Sequence, residues 1–131
     1  MMPLPEFQNP PALVPPLGPY SHVARAGGIV AFSGQSGHAA DGSLAEGLAA
    51  QLEQAIANVG HALEAEGLGY EHVLKITVLL AGPELVEPFE AHAGPRFREL
   101  FPLGLPASTL MVVQQLAHPS MLVELDVLAH L

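Results

Sequence analysis

Hydrogen-bonding residues gather in the run Leu17 to Gln35, LGPYSHVARAGGIVAFSGQ. Tyr20 and Ser21 follow a Gly-Pro turn, and Ser33, Gly34 and Gln35 follow the aliphatic segment Ile29, Val30 and Phe32. Small and polar residues at that point are expected to leave the strand and expose backbone amides. Together with Tyr20, Ser33 and Gln35 they would frame a small polar ligand. Each also has a structural reading: a tyrosine with a packed ring and a wet tip, or hydroxyl and amide groups that satisfy a strand end. Glu124 and Asp126 alternate on one face of the last strand. A carboxylate in a cleft away from solvent gains a raised pKa and can act as general acid or base; one that faces water or caps a subunit contact does neither.

Other chemistries find less support. His22, His38, His61, His72, His92, His118 and His130 show no HxH or HxxxH spacing, so no metal motif is present. Ser108, His118 and Asp126 can be drawn as a triad on paper, but no nucleophile elbow surrounds the serine. Cysteine is absent, which excludes a disulfide frame, a thiolate metal site and a cysteine nucleophile. No GxGxxG or Walker motif occurs, so no nucleotide cofactor is expected, and cofactors are read as none. The four basic residues, Arg25, Lys75, Arg96 and Arg98, stand against thirteen acids, for a net charge of -9. That balance argues against nucleic acid or an anionic membrane as partner, because phosphates need neutralising cations. An RNA-cleaving role is disfavoured on the same ground.

The elements that must position these groups follow from the hydrophobic pattern. At 131 residues the chain reads as one domain, with a proline-rich N-terminal segment over 1–16 and the domain proper over 17–131. Prolines 3, 5, 10, 11, 15 and 16 make that first segment extended. Ala26-Gly27-Gly28 turns a hairpin. Leu48, Leu52, Ile56, Val59 and Leu63, with Ala55 and Ala62, mark a helix over 44–66 stopped by Gly67. Val73 to Leu80 is a strand with Leu74, Ile76, Val78 and Leu80 on one face and Lys75 and Thr77 on the other. A second helix over about 84–100 is expected to be kinked or broken by Pro88, Gly94 and Pro95. Strands over 108–116 and 121–130 follow, so the order is β-β-α-β-α-β-β. One crossover helix per half, framed by a hairpin at each end, gives a mixed sheet with both helices on one face. The other face needs cover. Charged residues are 13% of the chain where about a quarter is usual, which again favours association of subunits. No positively charged n-region with an apolar h-region opens the chain, and no stretch has the length of a membrane span, so a cytoplasmic protein is expected.

The order GPYS, Gly turn, aliphatic strand ending SGQ resembles the opening of the Rid family. The resemblance extends over nearly the whole chain through Asn9-Pro10, Asn58-Val59, Lys75-Ile76-Thr77-Val78, Pro106-Ala107 and the terminal acidic strand. It implies an α+β, chorismate-mutase-like domain that forms a homotrimer, with small-molecule sites in the clefts between subunits. It further implies hydrolysis of reactive enamines or imines. Glu124 matches a family glutamate that positions water, if one residue is inserted in the preceding turn. Tyr20 matches a cleft tyrosine, Ser33, Gly34 and Gln35 form a ligand rim, and the amides near Ala107 and Ser108 stabilise developing charge. Two departures stand out. Where the hydrolytic branch carries an arginine that grips a substrate carboxylate, this chain has Ser108, which offers one donor and no charge. Phe89 falls near the place of a cleft asparagine and makes the pocket more apolar. None of the other cations is an evident substitute: Lys75 reads as a strand lysine paired with an acid, or as pointing to the cleft. Arg96 and Arg98 read as solvated or paired with Glu90 and Glu99, and Arg25 as exposed. Weak or absent activity on 2-iminobutanoate and 2-iminopropanoate is therefore expected. The alternative is a non-catalytic trimeric module that binds a metabolite or serves as an interaction surface.

Overall fold

The computed structural model describes residues 3–131; Met1 and Met2, part of the proline-rich segment, lie outside the described residues. Six strands form one sheet: β1 Glu6–Gln8, β2 Val23–Ala26, β3 Ile29–Ser36, β4 Val73–Leu80, β5 Ala107–Val112 and β6 Val123–His130. Their spatial order is β1-β2-β3-β6-β4-β5, and β4 and β5 are parallel while every other neighbouring pair is antiparallel. Helices α1 Leu48–Ala65 and α2 Val86–Leu100 join β3 to β4 and β4 to β5. The sheet is mixed and both helices pack on one of its faces, as the α+β reading requires.

The core forms where the alternate residues of the central strands meet the stripe of α1. Val30, Phe32, Ile76, Val78, Leu80, Val123, Leu125, Val127 and Ala129 pack against Leu52, Ala55, Ile56, Val59, Ala62 and Leu63. The stripe read from the sequence is thus the buried one. Gly67 closes α1 with φ +74°, and the amides of Gly67 and Leu68 donate to the carbonyls of Glu64 and Leu63, a cap that a left-handed residue makes possible.

Several details differ from the sequence reading, each for a local reason. The proline-rich start contributes a strand, β1, on the edge beside β2, where proline's missing donors are tolerated. Ser33, Gly34 and Gln35 do not leave the strand; they remain in β3, at an irregularity in its pairing with β6 between Phe32 and Gln35. Helix α1 begins at Leu48 rather than at residue 44, because Gly47 has φ +85° and Leu44 bridges to His38 instead. Leu74 lies outside the buried face: it falls at a register shift between Val73 and Lys75 and is exposed. Helix α2 is not broken. Pro88 occupies its first turn, where an amide would have no partner in the helix, and the single bond lost at Pro95 is offset by buried Phe89 and Ala93 and by ties from His92 and Arg96 to Glu53 of α1.

No C-terminal hairpin forms. β5 ends at Val112, pairs with β4, and leads into a connection that passes the end of β4, with Val113 N–H donating to the Leu80 carbonyl and Ala81 N–H to the Leu122 carbonyl. β6 can then insert between β3 and β4. That central place suits its sequence, since Val123, Leu125, Val127 and Ala129 bury one whole side of it.

Candidate functional site

The polar ends of β3 and β6 meet at a cleft of about 400 Å³. Its wall is built from four segments: Leu17, Gly18, Pro19 and Tyr20 before β2; Ser33, Gly34 and Ser36 on β3; Ala117 and Met121 in the connection; and Glu124 on β6. The antiparallel register sets Ser36 opposite Glu124, so both rise on the side of the sheet away from the helices.

Glu124 lies against Gly34. A Cβ placed on Gly34 would stand 2.6 Å from its Cδ and 2.8 Å from its Oε1, so the carboxyl lies flat on the bare glycine. Burial, and then the neighbouring Asp126 carboxylate, push the Glu124 carboxyl above the usual glutamate range. Such a group exchanges a proton more readily near neutrality than an ordinary surface glutamate. Asp126 itself is exposed.

Tyr20 lines the cleft with its ring partly exposed, and its hydroxyl accepts from the Leu17 amide at 3.1 Å, which leaves its own proton free to donate. Ser33 contributes to the wall, but its hydroxyl donates to the Ser21 carbonyl at 2.6 Å. Gln35 stands apart from the lining. It is buried, and its amide donates to His22 Nδ1 at 3.2 Å and to the Ser33 carbonyl at 2.9 Å. Buried His22 in turn has Nε2 2.6 Å from the Val14 carbonyl, and its backbone amide donates to Asn9 Oδ1 at 2.9 Å. The geometry is met when Nε2 donates to the Val14 carbonyl and Nδ1 accepts from the Gln35 amide. The network fixes the strand segment from behind.

The residues proposed at the other end of the chain are elsewhere within one subunit. Ala107 is exposed on edge strand β5, opposite Lys75. Ser108 lies in a groove of about 470 Å³ between β5 and α2, together with buried Phe89, Glu90 and Arg98. The described chain therefore brings together Tyr20, Ser33, Gly34 and Glu124, and separates them from Phe89, Ala107 and Ser108.

Charge in the cleft is one-sided. Neither lysine nor arginine is among its lining residues. Lys75 is not paired with an acid; its ammonium donates to Thr109 Oγ1 at 2.9 Å. Arg25 is held between Glu6 and Glu66, and Arg96 binds Glu53 on α1 as well as Glu99, a partner across helices that sequence neighbours could not reveal. Among the described residues no group of three or more His, Cys, Asp or Glu is arranged to hold a metal.

Sequence reasoning missed Ser36 and His38. Ser36 Oγ lies 2.6 Å from His38 Nδ1, and His38 opens onto a neighbouring cavity of about 550 Å³ that also contains His118. The signal was a Ser-x-His spacing at a strand end, which puts the two side chains on one side.

The family model for endoribonuclease L-PSP matches residues 11–131. A RutC family protein of Aquifex aeolicus is 38% identical over 76 residues, 57% of this chain and 60% of the relative. The 2-iminobutanoate/2-iminopropanoate deaminase of Bos taurus is 40% identical over 67 residues, 50% of this chain and 49% of the relative. The matched stretch thus spans about half to three fifths of these relatives' length. Among solved structures, RidA from the Antarctic bacterium Psychrobacter sp. superposes with a TM-score of 0.84 at 26% identity, covering 95% of this chain and 98% of that one.

Proposed function

Because this chain belongs to the endoribonuclease L-PSP family, the Rid family, we propose that it is a Rid-like hydrolase of small reactive imines or enamines, working at clefts between the subunits of a cytoplasmic homotrimer. The observation that carries the reading is Glu124: a carboxyl with a raised pKa, seated on a glycine in a small cleft that Tyr20 also lines. In that place it positions a water and takes its proton as the oxygen bonds to the imine carbon. The same proton then passes to the nitrogen to give the neutral carbinolamine. Glu124 next takes the hydroxyl proton and returns it to the nitrogen as the C–N bond breaks, so that the amine departs and the carbonyl forms. Tyr20 and Ser33 shape the cleft, Gly34 seats Glu124, Gln35 supports the strand from the buried side, and Phe89, in the groove with Ser108, would reach a cleft only from a neighbouring subunit. The amides near Ala107 and Ser108 of a neighbouring subunit would complete the site and stabilise developing charge.

Support for association is the side of the sheet opposite the helices. Phe7, Ile29 and Met111 are 64%, 44% and 46% exposed there, apolar side chains that a partner subunit would cover. A trimer joined through that face would carry the edge strand of one subunit toward the cleft of the next.

The substrate differs from that of the bovine relative. A cleft lined within one subunit by a carboxyl and no cation, on a chain of net charge -9, gives a substrate carboxylate no charged anchor there. We therefore assign neutral or cationic imines as substrates, with weak or no activity on 2-iminobutanoate and 2-iminopropanoate, and regard the chain as a branch of the family without the carboxylate anchor. The same charge speaks against ribonuclease activity.

The test is hydrolysis of imines generated in place, followed by amine release. Neutral alkyl imines are expected to turn over, with a loss of about 10²–10⁴-fold in Glu124→Gln. Rapid hydrolysis of 2-iminopropanoate that Glu124→Ala abolishes would overturn the substrate assignment. If no imine turns over while small molecules still bind the cleft, the chain is a binding module instead.

A further inference from the structure

The cleft contains a second reactive group that imine hydrolysis leaves unused. Ser33 and Ser36 both line it, yet their hydroxyls have different fates. Ser33 donates to a backbone carbonyl, which cannot accept a proton outright, so that oxygen stays a weak nucleophile. Ser36 faces an imidazole nitrogen at 2.6 Å, which can.

The pair is built to persist. Asn58, buried in α1, donates to the carbonyls of both Ser36 and His38 at 3.0 and 2.8 Å, and its own oxygen accepts from Gln54 at 3.0 Å. The turn that joins the two residues is thereby locked to the helix. Gly37 between them lies against Gln51, whose side chain a Cβ would strike at 2.7 Å. Burial, and then the nearby His118, lower the His38 pKa, so the ring is neutral near neutral pH and its lone pair is available. Leu17, Pro19, Ala117 and Met121 supply an apolar wall beside Ser36 for a short acyl chain.

We propose that Ser36 is a nucleophile with His38 as its base, giving the cleft an acyl-transfer activity toward small, uncharged activated esters. Ser36 Oγ bonds to the acyl carbon while its proton passes to His38 Nδ1. The bond from the acyl carbon to the leaving oxygen breaks, and that oxygen departs with the proton from the imidazolium. Water then cleaves the acyl-serine by the reverse use of the same base, releasing a carboxylic acid and restoring the hydroxyl. Neither step depends on imine hydrolysis or on Glu124.

The probe is p-nitrophenyl butyrate with the full chain. A burst of nitrophenolate close to one equivalent per chain is expected, with a butyryl group mapped by peptide mass spectrometry to Ser36. Ser36→Ala should lose both, and His38→Gln should slow acylation by about 10²–10⁴-fold. Circular dichroism and melting of each variant establish that the fold is retained. A Ser36→Thr variant keeps a hydroxyl beside the ring, so partial labelling at Thr separates chemistry from collapse of the site. Acyl groups found on lysine or the N-terminus alone, an absent burst, or undiminished labelling in Ser36→Ala would each overturn the assignment.

Discussion

Replacing Gly34 by alanine separates catalysis from stability at the centre of the proposed site. The new methyl carbon would stand 2.6 Å from Glu124 Cδ and 2.9 Å from its Cγ, where ordinary contact begins at 3.4 Å. The carboxyl must therefore move by at least about 0.8 Å, and a reacting group misplaced by about 1 Å costs on the order of 10²-fold in rate. Gly34 does not have positive φ, so alanine takes up its backbone without strain. The atoms it meets are the far end of a flexible side chain rather than backbone, so the displacement is cheap compared with the 1–3 kcal/mol typical of overpacking a closed core. Turnover of a neutral imine should fall about 10–100-fold, while the melting temperature changes by less than about 4 °C. The double variant with Glu124→Gln should be no slower than Glu124→Gln alone, because both substitutions act through one group. A Gly34→Ala protein of wild-type rate, or a loss that adds in full to that of Glu124→Gln, would refute the placement of Glu124 at the reaction.

Three further outcomes follow from the same geometry. The fold holds the Glu124 carboxyl above its usual range, so it binds that proton more tightly than the unfolded chain does; the stability this provides is complete below the ordinary glutamate value and lost as pH rises through the raised one. Glu124→Gln should consequently melt at or above wild type near pH 8, the difference closing by about pH 4, as calorimetry across that range will show. Asn58→Ala deletes the donors to the Ser36 and His38 carbonyls and strands both acceptors in a part-buried site, so denaturant unfolding should show a loss of about 1–3 kcal/mol. Met111→Asp puts a charge on the apolar side of the sheet; if the proposed trimer forms through that side, sedimentation should find wild type as trimer and the variant shifted to monomer, with far-UV circular dichroism unchanged.

Periodicity was enough to find α1, since a stripe repeating every three to four residues can be buried only as a helix, and the same holds for the alternation in β6. It could not find the fate of α2. The cost of Pro95 is visible in sequence, but what offsets it is not: Phe89 and Ala93 are buried in the core, and Arg96 ties to Glu53, 43 residues away. Leu74 illustrates the same limit on a smaller scale: alternation places it with Ile76, and a register shift imposed by β6 turns it out to solvent.

The sequence by itself determined the family and the α+β class and singled out Tyr20, Ser33, Gly34 and Glu124, which line one cleft, because turn glycines, strand chemistry and the order GPYS to SGQ are local properties that each segment carries wherever it lies. Tertiary structure alone decided which polar groups share a space. It set Glu124 on Gly34 and opposite Ser36 through the pairing of β3 with β6, drew Gln35 inward to His22, and left Ser108 in a separate groove. Those outcomes depend on strand order and register, which are fixed by the simultaneous burial of two helices on a six-stranded sheet. No single segment contains that information.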